Sequence, residues 1–160
     1  MATKKPLVIT NGRIEQMQSG DRLDIPFSAT SVIPLENEES SEALTKCMAV
    51  YISSANKAKR ALANTPATSK VRGLVKTDSI SPDATGDVVT NGILTATIGE
   101  WDAIAGTIGG LSPNTAYFLD FTAPGHITAT APTTEGYVTE IGVAISTTEL
   151  VVEPKTPIKL

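Results

Sequence analysis

Short apolar runs, each cut by a turn signal, set the pattern of this chain from end to end. In the opening stretch LVIT is followed by Asn11-Gly12, then RIEQMQ, then Ser19-Gly20-Asp21, then RLDIP. Asn-Gly between two such runs predicts a hairpin, because both turn residues must tolerate positive φ. From Cys47 onward CMAVYIS, VRGLVK, DVVT, GILTATI, TAYFLDF, HITATA, GYVTEIGVAI and ELVVEP read as strands. Ser81-Pro82-Asp83, Asn91-Gly92, Gly109-Gly110, Ser112-Pro113-Asn114 and Ala123-Pro124-Gly125 punctuate them. Strands at roughly ten-residue spacing with such punctuation predict an all-β body, a compact antiparallel β-barrel or sandwich. At most one short helix is expected, over Ser40–Lys46 or Asn56–Asn64. The second of these stretches reads equally well as extended chain.

Texture divides the chain into four parts. Residues 1–34 hold few large apolar groups, and an isolated hairpin is marginal in water. They are expected to form an extended arm that docks on a partner through Leu7, Val8, Ile9, Ile14, Leu23 and Ile25. Residues 35–46 contain the acidic run ENEESSE and predict a solvated, flexible junction. Residues 47–154 form the β domain. Residues 155–160 carry a proline between two lysines and predict an extended, mobile tail.

Composition narrows the class without naming it. Apolar residues make up 41% of the 160 and charged residues 19%, which fits neither a membrane-embedded nor a disordered chain. Aromatic residues reach only 4%, so the core must be built from small and β-branched side chains. A net charge of -4 argues against nucleic acid as the partner. No apolar run approaches the roughly 18 to 20 residues that span a bilayer. The N-terminus lacks the pattern of a secretory signal, and a single cysteine predicts a fold made without disulfides.

Candidate chemistry is sparse. His126 is the one histidine, and Cys47 sits in an apolar run that predicts a buried strand position. Two such residues are too few for a zinc site. Asp83 and Asp87 resemble part of a calcium loop without its downstream bidentate glutamate, and read as an ordinary turn. Gly106 and Gly109-Gly110 lack the strand, spacing and lysine of a phosphate loop. Catalytic, cofactor and metal residues are therefore expected to be absent. Trp101, the sole tryptophan, lies between Glu100 and Asp102 at an expected strand end. It reads as a core plug, an interface anchor or a sugar-stacking face.

The segment GGLSPNTAYFLD, followed by APGHITATAP and GYVTEIGVAISTTELVVEP, resembles a β domain of tailed-bacteriophage virion proteins, in particular capsid decoration (cement or head-fibre) proteins. Leu111, Pro113 and Tyr117 open the pattern, Gly125 turns it, and Thr128, Thr130 and Pro132 follow. Gly142, Ala144 and Ser146 close it. VRGLVKTDSISPDATGDVVTNGILT and the opening KKPLVITNGRIEQMQSGDRLDIP are also similar to such proteins. The resemblance implies a non-enzymatic structural protein of the virion, assembled in the bacterial cytoplasm. It would bind the major capsid protein on the capsid surface as a homotrimer, with no nucleic acid, membrane or cofactor. A tail-fibre protein, or a receptor- or carbohydrate-binding module with Trp101 as its platform, is the alternative.

Overall fold

The computed structural model describes residues 7–10, 13–16 and 30–160. In chain order the strands begin with β1 (Leu7–Thr10), β2 (Arg13–Gln16), β3 (Ser31–Asn37), β4 (Leu44–Thr45), β5 (Ala49–Ser54) and β6 (Lys57–Arg60). They continue with β7 (Val71–Val75), β8 (Ser79–Ile80) and the long β9 (Thr85–Thr95), which leads into the helix α1 (Ile98–Ala105). After it come β10 (Ala116–Leu119), β11 (Ile127–Thr128), β12 (Tyr137–Val138), β13 (Glu140–Ala144), β14 (Glu149–Val152) and β15 (Ile158–Lys159).

The all-β expectation holds, and its core is a closed five-stranded barrel in which β9, β3, β6, β5 and β7 pair in turn and β7 returns to β9. Pairing is antiparallel except between β3 and β6, which run parallel with Glu36 opposite Lys57 and Asn37 opposite Ala58. Strand alternation sends Leu35, Val50, Ala58, Val75 and Val88 to one cluster inside the barrel, closed by Leu44 and Ile80. The neighbours Ala49, Leu74 and Val89 face the other way. There they join Trp101, Leu111, Tyr117, Leu119, Ile127 and Leu150 in a second, larger core. That core lies between the barrel wall and a second antiparallel sheet, β9-β14-β13-β10-β11.

One strand serves both halves. Up to Asn91, β9 belongs to the barrel; from Gly92 to Thr95 it pairs with β14. Asn91-Gly92 is thus not the predicted turn but the point where β9 changes partner, next to a bulge at Thr90, where Ser31 pairs with Asn91 and Val32 with Val89. Gly92 has φ +105, and a Cβ there would meet Thr30. Elsewhere the halves are laced by backbone bonds: Gly125 N–H donates to the Ala61 carbonyl at 2.8 Å, and Ala63 N–H to the Asp120 carbonyl at 3.0 Å. The buried Thr139 hydroxyl donates to the Ser69 carbonyl at 3.0 Å.

The expected four-part division fails at its first boundaries. The cut between residues 34 and 35 falls inside β3, a barrel strand, and the acidic stretch is not a free junction. Glu36 pairs with Lys57 at 2.7 Å and Glu39 with Arg60 at 3.2 Å. Asn37 is buried, and Leu44 closes the barrel core. Pro34 is tolerated because β6 meets β3 only at Glu36 and Asn37, leaving that edge open at the proline. Of the predicted arm, β1 and β2 pair antiparallel with Thr10 opposite Arg13, on either side of Asn11-Gly12. Register places positions 7, 9 and 14 on one face of that ribbon and position 8 on the other. Leu23 and Ile25, also expected in the docking arm, lie outside the described residues.

Three further expectations change. Neither expected helix forms: Leu44–Thr45 and Lys57–Arg60 are strands. Cys47 is buried as expected, but in a turn with φ +70 rather than in a strand. The C-terminal residues are extended but tied down, with Ile158 opposite Val138 and Lys159 opposite Tyr137.

Candidate functional site

The helix that was not foreseen organises one end of the second sheet. Thr97 and Glu100 cap it reciprocally: the Thr97 hydroxyl accepts from Glu100 N–H at 3.3 Å, and Thr97 N–H donates to Glu100 Oε2 at 2.7 Å. Gly106, with φ +63, ends it. Trp101 and Ile104 are its buried residues, and Trp101 is 0% exposed. Its indole Nε1–H donates to the Thr148 carbonyl at 3.0 Å, in the β13–β14 turn.

This burial corrects the expectation that Trp101 contacts a partner or a sugar. Both faces of the ring are covered by the protein's own core, so Trp101 is a core plug. The adjoining acids are structural as well. Asp102 Oδ1 accepts from Gly110 N–H at 2.7 Å and from the Thr107 hydroxyl at 2.9 Å, while Oδ2 accepts from Gly109 N–H at 3.1 Å. Gly109-Gly110 is a loop folded around that carboxylate. Leu111 N–H then donates to the Thr147 carbonyl at 3.0 Å, fastening the loop to the same β13–β14 turn.

Three isoleucines at this end are exposed. Ile108, at the tip of the Asp102 loop, is fully exposed; Ile98 at the helix start and Ile145 in the β13–β14 turn are 45% and 49% exposed. Single exposed isoleucines are ordinary. Here three of them are carried by α1, its loop and its turn, which the Thr147, Thr148 and Asp102 bonds hold as one unit. An apolar surface on a braced scaffold suits protein contact.

The Gly110 N–H first of all, with help from Thr107 and Gly109, holds the Asp102 carboxyl below the usual carboxylate range. Glu100 is likewise lowered, chiefly by Thr97 N–H. A depressed folded pKa contributes stability above the unfolded value, about 4 for these groups, and that stability is lost as pH falls through the folded value. The urea midpoint is therefore expected to hold between about pH 7 and 5 and to drop below about pH 4. Asp102→Asn should make the drop shallower; an unchanged acid limb in that variant would remove Asp102 from the account.

Beside α1, Lys46 Nζ lies 3.4 Å from Asp78 Oδ1 and 3.6 Å from Glu100 Oε1, in a cleft also lined by Thr45, Gly99 and Ile104. Burial works against its charge, but the two carboxylates raise its pKa above the ordinary lysine value. A charged, paired lysine is no nucleophile. Cys47 nearby is pushed to about 12, by burial first and then by Glu100. Ellman's reagent at pH 8 is expected to leave native Cys47 unmodified and to titrate one thiol in denaturant. Rapid native labelling would mean that the core between the barrel wall and the second sheet opens. Among the described residues no group of three or more His, Cys, Asp or Glu side chains is placed to hold a metal ion.

No protein-family model matches the sequence, and no curated protein matches it.

Proposed function

We propose that this chain is a structural protein of a tailed-bacteriophage particle, mounted on the capsid surface, where it binds the major capsid protein and stabilises the assembled shell. The observation that carries this reading is what the phage-like pattern does in the fold. Several of its residues help to hold the second sheet together. Tyr117 is buried and its hydroxyl accepts from Ser112 N–H at 2.9 Å, a tyrosine corner that fixes the Leu-x-Pro-x-x-x-Tyr turn. Leu111 and Ala144 are buried in the same core. Gly125, at φ +81, makes the bond to the barrel wall described above. A Cβ on Gly142 would run into the Val151 carbonyl oxygen, so that position admits only glycine.

Shell contact is assigned to the N-terminal ribbon, whose register gathers Leu7, Ile9 and Ile14 on one face. The homotrimer is assigned to the surface of Ile98, Ile108 and Ile145. A body of this size buries only about two thirds of its unfolded surface, and symmetric association adds to that.

Co-sedimentation with purified shells of the phage tests the reading. The full chain is expected to pellet with shells, and a chain lacking residues 1–29 to fold and remain in the supernatant. The cut belongs before Thr30, because Thr30 and Ser31 already bond to β9. Light scattering should give a trimer. A monomer that ignores shells, or label on the tail in immuno-electron microscopy, would displace the head-decoration reading.

A further inference from the structure

A second surface, beside β11, has the make-up of a small-molecule site. Between the end of β10 and the chain that follows β11 lies a cleft of about 290 Å³. Asp120, Phe121, Thr128, Thr130, Thr133 and Glu135 are among the residues that line it. That volume is close to the lower bound, roughly 300 Å³, of small-molecule pockets, and is room for one sugar ring.

Asp120 is prepared as an acceptor. Its Oδ1 takes Thr122 N–H at 2.6 Å, the Thr122 hydroxyl at 2.8 Å and Ala123 N–H at 2.9 Å, which fix the carboxylate's orientation. Among the described residues Oδ2 has no hydrogen-bond partner, and it is not a buried atom. Burial opposes the charge, but the Ala123 and Thr122 donors, with His126 behind them, hold the carboxyl below its ordinary value. The free oxygen is ionised at neutral pH.

The cleft lining also supplies hydroxyls. Thr130 and Thr133 are exposed, and their hydroxyls make no bonds to described residues. Phe121 is half-buried, packed against the large core with the rest of its ring on the cleft. Gly136 makes room for that ring: at φ +83, a Cβ there would stand 2.6 Å from Phe121 Cε2.

We infer that this cleft binds a monosaccharide unit, with Asp120 Oδ2 accepting sugar hydroxyls, the threonines completing the pairing and Phe121 lying against the sugar's C–H face. Hydroxyl-bearing walls, a positioned anionic acceptor and an aromatic face match a polyol with alternating O–H and C–H surfaces. A bare cation fits less well, because the Asp120 charge is already neutralised in part by three donors and only Glu135 adds a second carboxylate. The inference concerns the isolated chain and does not depend on where it is mounted.

The test is amide chemical-shift mapping of the ¹⁵N-labelled full chain with D-glucose, D-galactose, D-mannose, L-rhamnose and N-acetyl-D-glucosamine. Glycerol and calcium chloride serve as parallel arms. At least one sugar is expected to give saturable shifts confined to residues 120–122 and 128–136, with a millimolar dissociation constant, on the order of 1–10 mM. Asp120→Asn retains an acceptor for the loop donors but turns the free oxygen into an N–H₂ donor. It is expected to weaken binding about tenfold. Thr133→Val leaves the Asp120 loop bonds untouched and is expected to cost about threefold, which keeps the test decisive if the first variant misfolds. Absence of saturation with every sugar, equal shifts from glycerol, shifts from calcium alone, or full affinity in both variants would each overturn the inference.

Discussion

Asn37→Ala is expected to lower the stability of the whole chain by about 3 kcal/mol, read as a fall in the urea midpoint by circular dichroism. Asn37 is 0% exposed, in a strand whose neighbours along the chain are acidic. Its side-chain amide donates to the Ile80 carbonyl at 2.8 Å and to the Glu42 carbonyl at 2.9 Å; its Oδ1 accepts from Glu39 N–H at 2.9 Å. One side chain therefore ties β3 to β8 and folds the acidic segment back across the barrel end. Truncation takes a donor from two carbonyls and the acceptor from one N–H, and each group left unpaired costs about 1–3 kcal/mol where water cannot replace the bond. The Glu42 end is only part-buried, so water recovers some of that loss. Asn37→Asp should be at least as damaging, since a carboxylate would face the Ile80 and Glu42 carbonyls. A midpoint within about 0.5 kcal/mol of wild type would mean that solvent fills the amide's place completely.

The contrast between Asn37 and the foreseen strands shows where the sequence is readable. Val71–Val75, Ala116–Leu119 and Glu149–Val152 carry apolar residues that pack locally as strands, and they form where the pattern put them. The strand Ser31–Asn37 carries Val32, Ile33 and Leu35, but Pro34 interrupts the run and its end is acidic, so its place in the barrel depends on distant partners. Glu36 and Glu39 are neutralised by Lys57 and Arg60, each 21 residues away, and no window of the chain shows that. Asn91-Gly92 reads as a turn in any local scheme. Only the change of partner from β3 to β14 keeps it inside one continuous strand.

The helix is different, since Thr97-x-x-Glu100 before an apolar stretch is a capping box that the sequence states outright. It was hidden by the glycines at 99 and 106 and by the expectation of another strand. The cleft at Asp120 has no motif at all. Its walls come from two loops around β11, and the carboxylate matters only because three donors fix one oxygen and leave the other free.

Trp101→Ala is expected to be the most damaging single truncation in the second half of the chain, costing about 3–5 kcal/mol. The indole is the largest fully buried side chain, and it sits where α1, the Asp102 loop and the β13–β14 turn meet. Its removal leaves a cavity in a close-packed core of Leu, Ile, Val and Ala side chains, which relaxes only partly into it. It also takes one of two donors from the Thr148 carbonyl, leaving Ala96 N–H alone at 3.0 Å. Trp101→Phe keeps most of the volume and loses the N–H, so it should cost clearly less; equal losses would assign the effect to the hydrogen bond rather than to packing. In the wild-type chain Trp101 should emit at short wavelength and resist acrylamide quenching until the protein unfolds. The same variant bears on assembly. With the plug gone, Ile98, Ile108 and Ile145 lose the unit that carries them, so the proposed trimer should weaken along with the fold. Ile108→Asp separates the two effects: at a fully exposed position it should leave stability within about 0.5 kcal/mol of wild type while dissociating the proposed trimer. An Ile108→Asp protein that still scatters light as a trimer would move the subunit contact to another face.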